Sequence, residues 1–274
     1  MKNKKLVIIL SLLLLYGIIM VIIFSGNNRN EEGNNQNNDN GEKIENGNNN
    51  VNKVDQKYLV LDNESNWVYD GSWSKTSASS IKNANKHFKI YSDNNYIGEY
   101  KLVYSNNWNV FDEEDNFIPY SGKLFAFSSD FDIRLIRTNI ATITDSDKEF
   151  ITSGYENKSF DYLITNNIVN IDLDDNGEID KVVALSNNGT SDEENNNFYN
   201  LVYIVLNGRL FTLVNESISD IYSSSLYNIN RIFNYDGSKY IIIKETKNYI
   251  GDNVKIINHM FKYENDNFIE IMHD

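Results

Sequence analysis

The sequence predicts an all-β, antiparallel fold carried behind an N-terminal transmembrane helix. An uncharged apolar run occupies Leu6–Phe24. From Lys57 onward, short apolar segments alternate with clusters of Asn, Asp, Gly and Ser, the pattern of strands joined by tight turns. Beyond the first run, no segment has the length and 3.6-residue period of a long amphipathic helix. The chain divides accordingly into a cytoplasmic start (1–5), a signal-anchor helix (6–25), an Asn-rich linker (26–56), an N-terminal β region (57–145) and a C-terminal β region (146–274).

The anchor rests on length and flanks. The 19 residues LVIILSLLLLYGIIMVIIF carry no charge and as a helix span about 28 Å, close to the hydrocarbon thickness of a bilayer. Lys2, Lys4 and Lys5 precede the run, while Arg29, Glu31 and Glu32 follow it. The positive-inside bias places the N-terminus in the cytoplasm and the rest of the chain outside, as a single-pass protein of the cell membrane. A cleavable signal peptide is the competing reading, but its apolar core is usually shorter and no Ala-x-Ala site follows. The next 31 residues, Gly26–Gln56, include 13 Asn and only Ile44, Val51 and Val54 as aliphatic side chains. Such a segment buries too little apolar area to offset chain entropy and is expected to be a disordered spacer.

In the N-terminal β region, KYLVLD, HFKIYSD, GEYKLVYS and KLFAFSSDFDIRLIRT read as strands. One hairpin is expected to turn at Asp93–Asn95 and another at Ser128–Asp130. The C-terminal region reads as two four-stranded meanders. The first runs NIVNID, EIDKVVALS, NLVYIVL and RLFTLV, its last two strands joined by Asn207-Gly208, a strong type I′ signal. The second runs NINRIFN, KYIIIKE, VKIINHMFKY and FIEIM. These groups are expected as two small β subdomains or as partial, propeller-like blades. Ser77–Lys86 and Glu216–Leu226 are expected to hold a turn or two of helix.

Composition excludes several chemistries. The net charge of −14 is a poor match for nucleic acid, which demands a basic footprint. The absence of cysteine removes disulfides, thiolate nucleophiles and thiolate zinc sites. No phosphate loop, dinucleotide fingerprint or G-x-S-x-G elbow is present. His87, His259 and His273 show no metal-ligand spacing, and His259, within a strand, reads as a packing or surface residue. Trp67, Trp73 and Trp108 read as core residues, although exposed aromatics stack on sugars. The Asn, Lys and Ile bias points to an AT-rich bacterial genome.

One motif carries chemistry. Residues 172–180 read DLDDNGEID. Asp172, Asp174 and Asn176 stand at alternate positions, Gly177 supplies a sharp turn, Glu178 offers its backbone carbonyl and Asp180 closes the shell. Alternating oxygen donors around one hard cation are what Ca²⁺ takes. An EF-hand is disfavoured because Val183 occupies the position of its closing Glu, and the flanks are strand-like. The stretch resembles the calcium loops of FG-GAP and VCBS-type repeats, the integrin-propeller-like family, over about 15 residues. Asp172, Asp174, Asn176, Gly177 and Asp180 match that pattern in place. The resemblance implies a structural Ca²⁺ in an extracellular β domain.

The function expected from these features is a calcium-stabilised, non-enzymatic module that binds an envelope protein or glycan outside the membrane. An extracytoplasmic hydrolase acting on cell-wall or glycan material is the alternative. It would need a deep pocket holding two carboxylates, one with a raised pKa.

Overall fold

Stretches such as YLVL, LFAF, VVAL, LVYIVL and YIII are apolar at consecutive positions. Side chains of a strand alternate between its two faces, so such a stretch is stable only where both faces are covered. The computed structural model describes residues 55–136, 138–154, 163–187, 198–218, 223–249 and 253–274, and it covers these strands on both sides.

Among the described residues the strands form three antiparallel sheets. The first comprises β1 (Lys57–Leu61), β2 (Ser65–Tyr69), β3 (Trp73–Lys75), β4 (His87–Ser92), β5 (Asn95–Ser105), β6 (Asn107–Phe111) and β7 (Leu124–Ser128), in the order β3-β2-β1-β7-β4-β5-β6. The second comprises β9 (Asn139–Ala141), β10 (Leu163–Ile171), β11 (Asp180–Asn187), β12 (Phe198–Leu206) and β13 (Arg209–Ile218), in the order β13-β12-β11-β10-β9. The third comprises β8 (Arg134–Leu135), β14 (Ser223–Tyr235), β15 (Ser238–Tyr249), β16 (Asn253–Glu264) and β17 (Asn267–His273), in the order β17-β16-β15-β14-β8. β10–β13 and β14–β17 are each a meander of four consecutive strands.

The third sheet lies between the other two. Tyr240 and Ile242 of β15 pack with Phe233 and Met260 against Leu59, Leu61, Trp67, Phe125 and Phe127 of the first sheet. Ile241 and Ile243, one residue out of phase, pack with Ile229 and Phe261 against Val182, Ala184, Val202 and Ile204 of the second sheet. The outer faces are apolar too. Val60, Phe88, Trp108 and Ala126 pack beneath α1 (Ala78–Asn83) around its Ile81, while Val183, Leu185, Leu201 and Tyr203 form the far side of the second sheet. The stretch Asn52–Asp274 is one compact unit.

Where the interface of the first and third sheets runs out of apolar residues it becomes a polar network. Lys244 pairs with Glu64. Asn258, fully buried, donates to Ser65 Oγ at 2.7 Å. The Asp274 carboxylate accepts from the indole of the buried Trp67 at 2.9 Å and from the Ser65 hydroxyl. Every buried donor named here has an acceptor, as burial requires.

Two expectations fail. Ser128–Asp130 does not turn a hairpin: β7 belongs to the first sheet and β8 pairs with β14 of the third. Phe131 and Ile133, buried in the core shared by those sheets, draw the chain across the gap instead. The described part of Glu216–Leu226 is strand rather than helix, because Glu216 pairs with Asn200 and Leu226 with Thr246 in long ladders. A second helix, α2 (Asp145–Gly154), was not expected. The α1 turn falls inside Ser77–Lys86, with Ser77 accepting from the Ser80 amide at 3.1 Å as its N-cap. Trp67 and Trp108 are core residues, and Trp73 is half-buried. Among the described residues no helix is long and apolar enough to cross a membrane; the anchor expected at Leu6–Phe24 and almost all of the expected spacer lie outside them.

Two outcomes test this architecture. Ile242→Ala removes a fully buried side chain from the core between the first and third sheets and is expected to cost about 2–5 kcal/mol. Urea unfolding should show one shifted transition, not the loss of one half. Lys86 Nζ lies 2.6 Å from Asp130 and 2.9 Å from Asp55. Burial pushes the Asp130 carboxyl upward, but hydrogen bonds from Lys86 and Ser128 outweigh it and hold the group at about 2, below its ordinary 3.8. The folded-state value is depressed, so the stabilisation is complete above the ordinary value and is lost as pH falls toward the folded one. Asp130→Asn should therefore lose less stability than the wild type between about pH 4 and pH 2, read from chemical denaturation at each pH.

Candidate metal centre

The acidic loop joins β10 to β11, which pair up to Ile171 and Asp180. Leu173, fully buried, anchors the loop in the core between the second and third sheets. Asp175 and Gly177 take positive φ of 61° and 89°. Asp tolerates this region at some cost and Gly enters it freely, so the Asp-Asn-Gly run is what allows the loop to coil back on itself.

Coiling brings carboxylates of Asp172, Asp174 and Asp180 within 4.8 Å of one another. Asp172 Oδ1 and Oδ2 accept the amides of Asn176 and Gly177 at 3.0 and 2.9 Å. Asp180, 3% exposed, accepts the amides of Leu173 at 2.9 Å and of Asn207 at 3.0 Å. Each of these oxygens has a second lone pair in hand. Asp174 Oδ2 accepts from the side-chain amides of Asn207 at 2.7 Å and Asn176 at 3.2 Å, whereas its Oδ1 is buried and accepts no hydrogen bond. Among the described residues no Lys or Arg pairs with any of the three. Arg134 reaches the loop only at the exposed Asp175, 2.7 and 2.8 Å from its two oxygens. Lys181 turns to Asp147 at the start of α2.

Of the five residues expected as ligands, three converge. Asn176 stands beside them but presents its amide nitrogen to Asp174, and its Oδ1 accepts the Glu178 amide at 2.6 Å. Its side-chain amide must turn over for the oxygen to face the cluster. Glu178 points outward, as expected of a residue offering only its backbone carbonyl. Asn207 was missed. It was read as half of a type I′ turn, and its φ of 51° beside 72° at Gly208 fits that role. Its side chain also spans the loop, donating to Asp174 and accepting from Asn176 at 2.5 Å. No local signal could have linked it to a loop some thirty residues earlier.

Two clefts lie among the described residues, and neither brings two unpaired carboxylates together. One is open and lined by Ser92, Asp93, Asn95, Ile97, Pro119, Tyr120 and Ser121, with a single carboxylate. Another holds Asp55 and Asp130, both committed to Lys86. Asp62, raised by burial ahead of its other influences, lines neither cleft.

Comparison with protein-family models, with curated proteins and with solved structures yields no match.

Asp180→Ala removes the acceptor for two amides, one of them on a fully buried residue. It is expected to cost about 1–3 kcal/mol in urea unfolding carried out in EGTA, where no calcium contributes. Asp180→Asn, which keeps an acceptor oxygen, should cost less.

Proposed function

We propose that the chain is a membrane-tethered extracytoplasmic module whose β domain is stabilised by Ca²⁺ at the 172–180 loop and binds a protein or glycan of the cell envelope. The observation that carries the calcium reading is the buried, unpartnered Oδ1 of Asp174 among three converging carboxylates. A buried acceptor without a donor costs free energy, and three like charges held this close repel one another. A hard divalent cation relieves both, and Asp172, Asp174 and Asp180, with Asn176 once its amide is turned and the Glu178 carbonyl, form an all-oxygen donor set suited to it. The loop's resemblance to FG-GAP and VCBS repeats supports the same reading.

The cation would act on the fold rather than on a substrate. Asp174 and Asp180 both contact Asn207 at the tip of the β12–β13 hairpin, so a cation held by them ties two neighbouring hairpins of one sheet. The anchor and Asn-rich spacer favour a domain held away from the bilayer, and the net charge of −14 disfavours nucleic acid and anionic lipid as partners.

Thermal melting of the full chain in calcium and in EGTA tests the reading. At calcium about ten times the dissociation constant, the gain should be about 1.4 kcal/mol, and Asp174→Ala should abolish it. An unchanged melting temperature, together with an Asp174→Ala variant as stable as the wild type, would exclude the site.

A further inference from the structure

β16 and β17 bring together two histidines whose sequence spacing suggests no site. His259 and His273 are directly opposite in the ladder, so their side chains share a face. Beyond them the register shifts: Met260 faces Met272, but Phe261 faces Glu270, leaving Ile271 as the extra residue of a bulge. In a regular strand, residues three apart point to opposite faces. The bulge turns Glu270 onto the face of His273. Nδ1 of His259 lies 2.8 Å from Glu270 Oε1, and Nδ1 of His273 lies 3.5 Å from the same oxygen. On the other side of His259, Nε2 lies 3.2 Å from Oε2 of Glu245, a residue only 1% exposed. The second oxygen of Glu245 accepts from Ser225 at 2.8 Å and pairs with Lys247 at 3.2 Å.

We propose that His259, Glu270 and His273 are the protein ligands of a divalent transition-metal cation of the zinc class, with Glu245 orienting His259 from behind. Two imidazole nitrogens and one carboxylate oxygen form a donor set for such cations, unlike the all-oxygen set that suits calcium. Ligand atoms around a tetrahedral zinc, with bonds of about 2.0–2.2 Å, stand about 3.4 Å apart. The His273–Glu270 separation of 3.5 Å is close to that value. His259 and Glu270 need only part slightly. The imidazole rings of His259 and His273 lie 6.3 Å apart, and the His273 side chain, 70% exposed, is free to swing the remaining distance inward. The partly exposed side of Glu270 leaves the fourth position to water. A metal-bound imidazole commonly gives its other N–H to a carboxylate that fixes the ring, and the buried Glu245 stands where that partner belongs. No residue is shared with the 172–180 loop, so this site does not depend on the calcium reading.

The test is calorimetric titration of the metal-free full chain with ZnCl2, with calcium present throughout, followed by Co²⁺ as a spectroscopic substitute. One zinc per chain and the visible absorption of four-coordinate cobalt are expected. His273→Ala, a change at an exposed side chain that leaves the core intact, should weaken zinc about tenfold or more, and Glu245→Gln about 10–100-fold. Asp174→Ala should leave zinc affinity unchanged. No zinc uptake, undiminished uptake by His273→Ala, or uptake lost in Asp174→Ala would each overturn the assignment, leaving His259 as an ion-paired residue between two glutamates.

Discussion

Burial of both faces of the β14–β17 sheet is the constraint on which the rest of the structure depends. A strand puts alternate side chains on opposite sides, so Tyr240 and Ile242 face the first sheet while Ile241 and Ile243 face the second. Neither outer sheet could keep these residues from water alone. Each apolar side chain fully buried in this way contributes on the order of 1.5–3 kcal/mol, and the same four-residue run contributes to two cores at once. Three stacked layers follow, an arrangement less usual than two.

This constraint also positions the acidic loop. Leu173 is inserted into the core between the second and third sheets, so the residues on either side of it cannot drift. Asp180, at the first position of β11, then closes the loop by accepting one amide from within it and one from the β12–β13 turn. The cluster is thus held by packing and by backbone hydrogen bonds before any cation is considered. The cost of that rigidity is Asp174 Oδ1, an acceptor left without a donor. The bulge at Ile271 works the same way on the neighbouring sheet: a local ladder irregularity re-aims Glu270 toward two imidazoles.

The longer strand-forming segments were legible because period-two and continuous apolar runs are local signals, whereas the short strands β2, β3, β6 and β9 were not read. Both four-stranded meanders, the β4–β5 hairpin at Asp93 and the Asn207-Gly208 turn could be read from residues a few positions apart. Elements that depended on distant partners could not. β8 looks like the return arm of a hairpin from β7, yet Phe131 and Ile133 carry the chain into another layer. Helix α2 had a faint signal in Thr144 and Asp147, whose reciprocal bonds to the Asp147 carboxylate and the Thr144 hydroxyl form a capping box with Asp in place of the usual Glu. Without a long apolar stripe behind it, that pattern did not stand out.

By itself the sequence determined the all-β class, the turns at Asp93 and Asn207-Gly208 and the order of donors along residues 172–180, because each follows from residues adjacent in the chain. Tertiary structure alone decided which sheet becomes the middle layer, that Asn207 stands over the acidic loop and that His259, Glu270 and His273 meet. Those outcomes hang on register and on packing across layers. In such contacts the free energy comes from groups that are far apart in sequence and become neighbours only after the chain has folded.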